Sequence, residues 1–120
     1  MRDDGLVRTM VRMYRNTGQV SYRRGSMYPT TIVLETREQQ TLGLQFLPRI
    51  PEGTVFKFPR IPAGTVFHSR NVPEPFEIWF VSAGGAILKK AIITPPLETI
   101  EAPPGTSCVY EARPGVLFEL

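Results

Sequence analysis

The spacing of apolar and polar residues predicts a series of short β-strands from residue 30 onward. The run Thr31–Glu35 is rich in β-branched residues and is typical of a strand. The run Phe76–Val81 is strongly apolar, and a Gly-Gly pair after it favours a hairpin turn into a returning strand over 86–93. Residues 107–112 alternate as a half-buried strand does, and 116–120 predict a last strand. The pattern amounts to about seven or eight strands, a number that suits a small barrel or two packed sheets.

One short helix is predicted after the first strand. Thr36 and Gln39 have the spacing of a capping box, in which each side chain accepts a hydrogen bond from the other residue's backbone N–H. Gly43 follows as a stop signal. The helix is therefore predicted over about residues 37–42.

The segment after this helix contains a repeat. Arg49-Ile-Pro-Glu-Gly-Thr-Val-Phe56 is followed by Arg60-Ile-Pro-Ala-Gly-Thr-Val-Phe67. In each copy Pro favours a turn, Gly supplies a conformation that other residues resist, and Thr-Val-Phe enters a strand. A solenoid needs about three copies or more, so the two copies predict sequential turn–strand units of one sheet system.

Composition agrees with a single small β domain. At 120 residues the chain can bury a core, and its 12 prolines and 10 glycines favour many short elements. We therefore expect a mainly β fold, either small and barrel-like or built from two antiparallel sheets, with the short helix and an N-terminal arm. One cysteine, no recognisable export signal and no long apolar run predict a protein that is not secreted and has no membrane partner.

The positive charge is concentrated at the start of the chain. Residues 1–28 hold six arginines against two aspartates, for +4, whereas residues 29–120 hold eight Lys or Arg against nine Glu, for −1. The sequence thus divides into a basic N-terminal arm, 1–28, and a single β domain, 29–120. Arginine suits bidentate contacts with phosphates and carboxylates, so the arm is the predicted partner-binding segment. Its arginines are Arg2, Arg8, Arg12, Arg15, Arg23 and Arg24.

Several motifs of the β domain occur in the order of a known family. They are Gly43-Leu44, Gly53-Thr-Val-Phe-Lys-Phe58, Phe67-His-Ser-Arg-Asn71, Pro75-Phe-Glu-Ile78 and Val109-Tyr-Glu111. On these motifs the chain resembles the domain-of-unknown-function 192 family over about residues 30–115. It looks like a divergent member, because Gln45, His68-Ser69 and Glu77 replace the family's usual Met, Trp-Met and Asp. The resemblance implies a compact, mainly β fold and no particular reaction.

No residue pattern indicates catalysis. His68 is the single histidine of the chain, which excludes His-based triads and Cys/His zinc clusters. Cys108 lies in a run where apolar and polar residues alternate, and this position predicts a buried, inert thiol. No Gly-rich phosphate loop occurs. The sequence therefore predicts no catalytic residue, no cofactor and no metal.

One polar cluster has two interpretations. If the strands through Phe67 and Ile78 are neighbours, a group of polar side chains could converge at a sheet edge and present both charge signs to a ligand. Alternatively, Arg70 and Glu77 form a surface ion pair and Asn71 serves the following proline-rich turn, which is the interpretation we favour. The residues of this candidate site are His68, Arg70, Asn71 and Glu77.

We expect a non-catalytic structural or interaction protein whose β domain and arm dock onto a larger assembly or a copy of itself. Its concrete form is a virion-associated decoration or minor capsid protein, located in the cytoplasm or on the virion. The alternative is a nucleic-acid-binding accessory protein with the arm on the phosphate backbone. A third alternative is a small-ligand-binding domain or cryptic enzyme at His68–Glu77.

Overall fold

The structure of the protein, a computed structural model, describes residues 30–117. The predicted basic arm lies outside the described residues, as do the last three residues of the predicted strand at 116–120. The described elements are, in chain order, β1 (Thr30–Val33), α1 (Arg37–Leu42), β2 (Thr54–Phe58), β3 (Val66–His68), β4 (Phe76–Ser82), β5 (Ile87–Ile93), β6 (Thr99–Glu101) and β7 (Thr106–Ala112).

The strands of residues 30–117 form two sheets. A five-stranded sheet has the order β1, β2, β7, β4, β5, and β3 pairs with β6 in a small second sheet. The predicted mainly β, two-sheet fold is therefore confirmed, and the described strands do not close into a barrel, because β1 and β5 are the outer strands of the large sheet. The large sheet is also not purely antiparallel, since β1 runs parallel to β2. A parallel pair needs a crossover connection, and α1 with the loop after it supplies one.

The short helix forms where the capping box predicts it. The Thr36 hydroxyl accepts a hydrogen bond from the Gln39 N–H at 3.0 Å, and the Gln39 side chain accepts one from the Thr36 N–H at 2.9 Å. Gly43 follows the helix with a φ of +51°, which glycine adopts without the clash that a side chain would cause. Among the described residues no helix has the length and apolar character of a membrane span.

The two copies of the repeat both lead into strands, but the strands belong to different sheets. The first copy enters β2 of the large sheet and the second enters β3 of the small one. Between them Arg60 has a φ of +57°, a turn conformation that redirects the chain after β2. The single sheet system that the repeat predicted is thus divided, because β3 pairs with β6 instead of extending the large sheet.

The large sheet is apolar on both faces. One face, called here the cavity face, contributes Phe56, Ile78, Phe80 and Val109 to the main core cluster. The opposite face carries a second cluster that includes Trp79 and Tyr110. Successive strand residues point to opposite faces, and the middle of β4 from Ile78 to Val81 is continuously apolar because it is buried on both sides.

The small sheet covers the cavity face of the large one. The Phe67 ring of β3 lies edge-on to Phe58 of β2, with ring centroids 5.6 Å apart. The same ring is edge-on to Phe80 of β4 at 5.8 Å. Such edge-to-face pairs are a favoured aromatic geometry. Phe67 therefore fixes β3 over the middle of the large sheet.

Candidate ligand-binding site

The four polar residues proposed from the sequence do not form one cluster. His68 ends β3, on the small sheet above the cavity face. Glu77 lies between Phe76 and Ile78, which both belong to the cavity-face cluster, so its side chain points to the opposite face. There the Glu77 carboxylate accepts a hydrogen bond from the Gly115 N–H at 3.2 Å. The large sheet therefore separates Glu77 from His68.

Arg70 and Asn71 belong to the turn that follows β3. The backbone N–H of Arg70 donates to Nδ1 of His68 at 3.1 Å. The side-chain amide of Asn71 donates through Nδ2 to Oε1 of Gln45 at 3.2 Å. Among residues 30–117 no ion pair joins Arg70 to Glu77, which differs from the surface pair favoured on the sequence. The pair does not form because Glu77 lies on the face of the sheet turned away from this turn.

A cavity of about 470 Å³ lies between α1 with its following loop and β3, above the cavity face. Its floor consists of three buried residues, Phe58, Phe76 and Glu111. His68 is the one member of the sequence-predicted cluster that lines it. Three exposed charged residues form its rim, namely Glu35, Arg37 and Arg60.

Glu111 is the unexpected feature of the floor. It lies on β7, the central strand, in register with Phe56 of β2 on one side and Ile78 of β4 on the other. The residue is 4% exposed, and among the described residues no hydrogen bond or ion pair reaches its carboxyl group. Burial alone raises the pKa of Glu111 to about 8. At neutral pH the group is therefore mostly a neutral acid, with an O–H donor beside a carbonyl acceptor.

Sequence reasoning missed Glu111 although one signal was present. Glu111 is two residues after Val109, so the period of two in a strand places both side chains on one face. Val109 is a cavity-face core residue. The signal was ambiguous because Cys108 and Tyr110 lie on the other face of the strand and are also apolar. Either face of β7 could therefore have been the buried one. The chain buries both faces of β7, and alternation cannot then identify which polar residue is inside.

Two polar side chains of the cavity wall, those of Gln40 and His68, make hydrogen bonds to backbone groups. The Gln40 amide donates to the carbonyls of Leu34 at 2.8 Å and Pro59 at 3.0 Å, which ties α1 to the ends of β1 and β2. His68 accepts the Arg70 N–H on Nδ1, so a neutral imidazole carries its proton on Nε2. Gln40 thus fixes the helix that closes one side of the cavity, and His68 is a polar residue of its lining.

The rim has more positive than negative charge. Arg60 and Glu35 form an ion pair with 2.6 Å between Nη2 and Oε1, and both side chains are largely exposed. Within residues 30–117, Arg37 makes no such pair, so the three rim residues together carry a net charge of about +1. The floor adds no charge while Glu111 is protonated. A negatively charged group at the mouth of the cavity would therefore be attracted.

The described part of the chain has neither a metal-binding cluster nor an activated thiol. Residues 30–117 contain no group of three His, Cys, Asp or Glu side chains placed to hold a metal ion. Cys108 is half-buried against the opposite-face cluster, away from the cavity. Burial raises the pKa of its thiol, which favours the weakly nucleophilic protonated form.

Two solved structures are similar to this chain in fold. One is a protein of unknown function from Novosphingobium aromaticivorans DSM 12444, with a TM-score of 0.65 and 22% identity over 78% of this chain and 71% of that chain. The other, proposed to be a transcription regulator, is from Sinorhizobium meliloti 1021, with a TM-score of 0.58 and 15% identity over 80% of this chain and 84% of that chain. At these identities the likeness shows the fold alone. No protein-family model and no curated protein matches the chain, so the family resemblance stays a prediction.

Proposed function

We propose that the protein is a small-molecule-binding domain whose ligand occupies the cavity between α1 and β3 and contacts Glu111. The observation that carries this proposal is the position of the Glu111 carboxyl group, buried at the cavity floor without a partner among residues 30–117. This is the third function considered from the sequence, with its site moved from the His68–Glu77 segment to Glu111.

The energetics of burial support a binding role for Glu111. The Glu111 carboxyl group keeps slight contact with the cavity, so leaving it without a hydrogen-bond partner costs toward the low end of the about 1–3 kcal/mol for a fully enclosed polar group, and an apolar side chain there would avoid that loss. A ligand with a complementary polar group would supply the missing hydrogen bonds. Glu111 thus lowers the stability of the unliganded protein and favours the binding of a ligand that pairs with it.

The rest of the cavity has the composition of a small-molecule site. Such sites occupy about 300–1,000 Å³ and combine an apolar lining with a few placed polar groups. Here Phe58, Phe67 and Phe76 provide apolar contact area, while Glu111 and His68 provide hydrogen-bonding groups. We propose binding and assign no reaction to the site.

The other functions expected from the sequence depend on the basic arm. Docking onto a larger assembly, such as a virion, and binding to nucleic acid both use the arginines of residues 1–28. That segment lies outside the described residues, so both stay predictions. The binding proposal does not use the arm, because the described residues that line the cavity lie between Glu35 and Glu111.

A fragment screen monitored by backbone amide NMR tests the proposal. We expect at least one fragment to produce saturable shifts at amides that surround the cavity, such as Leu44, Phe67 and Glu111. The amide of Lys89, on the edge strand β5, should stay unchanged. A folded protein in which no fragment moves the cavity amides would contradict the proposal.

Two matched variants make the screen specific. Glu111→Leu should abolish the fragment-induced shifts because it removes the polar group that the ligand contacts. Glu77→Leu makes the same change on the opposite face of the sheet and should retain them. Equal binding by both variants would show that the ligand does not depend on Glu111 and would refute the assignment.

A further inference from the structure

We infer that the cavity takes an anionic ligand with a flat ring whose edge presents a lactam, an N–H beside a C=O, as the base of a nucleoside monophosphate does. This inference rests on the proposed function and names the ligand class of the same site. The lactam edge would pair with Glu111 at the floor, and the negative group would lie at the rim beside Arg37 and Arg60.

The first argument is hydrogen-bond complementarity at the floor. A protonated carboxyl group places one donor and one acceptor side by side, and a lactam edge places an acceptor and a donor opposite them. The two therefore form a pair of parallel hydrogen bonds. Since Glu111 has no partner among residues 30–117, a ligand of this kind would satisfy both of its polar positions.

The second argument is the charge distribution along the cavity. An ionised Glu111 would suit an amine or guanidinium ligand, but such a cation would pass the two arginines of the rim. Arg37 makes no ion pair within residues 30–117, so its guanidinium is available for a phosphate or carboxylate. The rim therefore favours an anion, and the buried acid favours a neutral polar head.

The third argument is the aromatic lining between floor and rim. Phe58 and Phe76 are buried at the floor, and Phe67 forms a wall of the same cavity. Flat rings gain contact energy against phenyl groups, both in stacked and in edge-on arrangements. A cavity of about 470 Å³ is large enough for a small ring system with a sugar-sized spacer.

Uridine monophosphate is a suitable probe because its base has a lactam N–H and its phosphate is anionic. Calorimetric titration of the full chain at about pH 6.5, where the acid is protonated, should give saturable binding. Uridine, which lacks the phosphate, should bind about tenfold more weakly or worse, since charge-assisted contacts to arginine are lost. N3-methyluridine monophosphate, which lacks the N–H, should lose a similar factor. Benzylamine, a flat cation, should bind more weakly than any of them.

Glu111→Gln is the variant that distinguishes a protonated from an ionised carboxyl group. Its amide keeps one donor and one acceptor but does not titrate, so binding at about pH 6.5 should stay within about threefold of wild type. Wild type should lose affinity as the pH rises from about 7 to 8.5, whereas the variant should keep it. The other charged or titratable groups that face the cavity are Glu35, Arg37, Arg60 and His68, and both proteins contain them.

Three results would overturn the inference. One is benzylamine binding more tightly than the nucleotide, with loss of that binding in Glu111→Gln, because the site would then take a cation on an ionised acid. Another is equal nucleotide affinity in Glu111→Leu and wild type. The third is no binding of any of these probes. If fragments still shift the NMR signals of the cavity amides in these cases, the proposed binding function is retained and only the inferred ligand class is refuted.

Discussion

Glu111 of β7 lies directly opposite Ile78 of β4 in the antiparallel ladder, and Phe56 of β2 flanks it on the other side. Both neighbours are buried members of the cavity-face cluster. A carboxyl group thus occupies a core position of the central strand, where an apolar side chain would be expected. The stability of the fold and its response to pH should therefore depend on this one side chain.

Replacing Glu111 by Leu should stabilise the empty protein. The change removes a carboxyl group without a partner among the described residues, so we expect a gain of about 1 kcal/mol in the free energy of unfolding at about pH 4, and a larger gain as the pH rises. Urea denaturation measures it. Glu77→Leu is the control, because that carboxylate accepts the Gly115 N–H and its loss should lower stability. A destabilised Glu111→Leu protein would show that the carboxyl group has a stabilising partner.

The stability of wild type relative to Glu111→Gln should fall as the pH rises. Burial raises the pKa of Glu111 from 4.5 to about 8, so between these values the folded state keeps a proton that the unfolded state has lost. Across that window the folded protein should therefore lose about 1.4 kcal/mol of stability for each pH unit. Below and above the window, the difference in free energy of unfolding between wild type and Glu111→Gln should not change with pH. Denaturation curves at several pH values measure this slope. A flat difference between the two proteins would contradict the buried, neutral acid.

Gly43, at the end of α1 beside the cavity, should tolerate a side chain poorly. Its φ of +51° is strained for alanine, although a Cβ would lie 3.7 Å from the Phe58 ring, an ordinary contact distance. We expect Gly43→Ala to reduce the free energy of unfolding by about 1 kcal/mol. Gly84→Ala, with nothing within 4 Å of the added Cβ, should change it by less than about 0.5 kcal/mol. Equal effects would mean that the backbone conformation at Gly43 is not the cause.

The buried hydroxyl of Ser69 should hold the small sheet in place over the cavity. Its Oγ donates to the Thr94 carbonyl at 2.9 Å and accepts from the Glu98 N–H at 2.7 Å. Ser69→Ala should lower the free energy of unfolding by about 1 kcal/mol, because two part-buried hydrogen bonds are lost. Hydrogen exchange should then be faster at the Glu98 amide than in wild type. Unchanged exchange there would show that the hydroxyl is dispensable.

Local signals predicted local structure well. The capping box of Thr36 and Gln39 predicted α1, and the Gly-Gly pair predicted the hairpin in which Gly85 has a φ of +94°. The mainly β, two-sheet fold followed from the strand pattern. The parallel pairing of β1 and β2 could not be predicted, because strand order depends on contacts between residues far apart in the sequence.

The candidate site was harder to predict because it depends on which face of a strand is inside. His68 and Glu77 are near each other in the sequence, but the large sheet lies between them. Glu111 is separated from Arg37 and Arg60 by several elements, and only the fold places them around one cavity. No motif of contiguous residues records such a relationship.

The most direct test is the titration of the Glu111 side-chain carboxyl carbon by NMR, with and without uridine monophosphate. The account predicts a midpoint near pH 8 in the free protein, since burial raises the pKa to about 8. The nucleotide should shift that midpoint upward, because it binds the protonated acid. A midpoint near the ordinary value of 4.5, or one that the nucleotide leaves unchanged or lowers, would contradict the account.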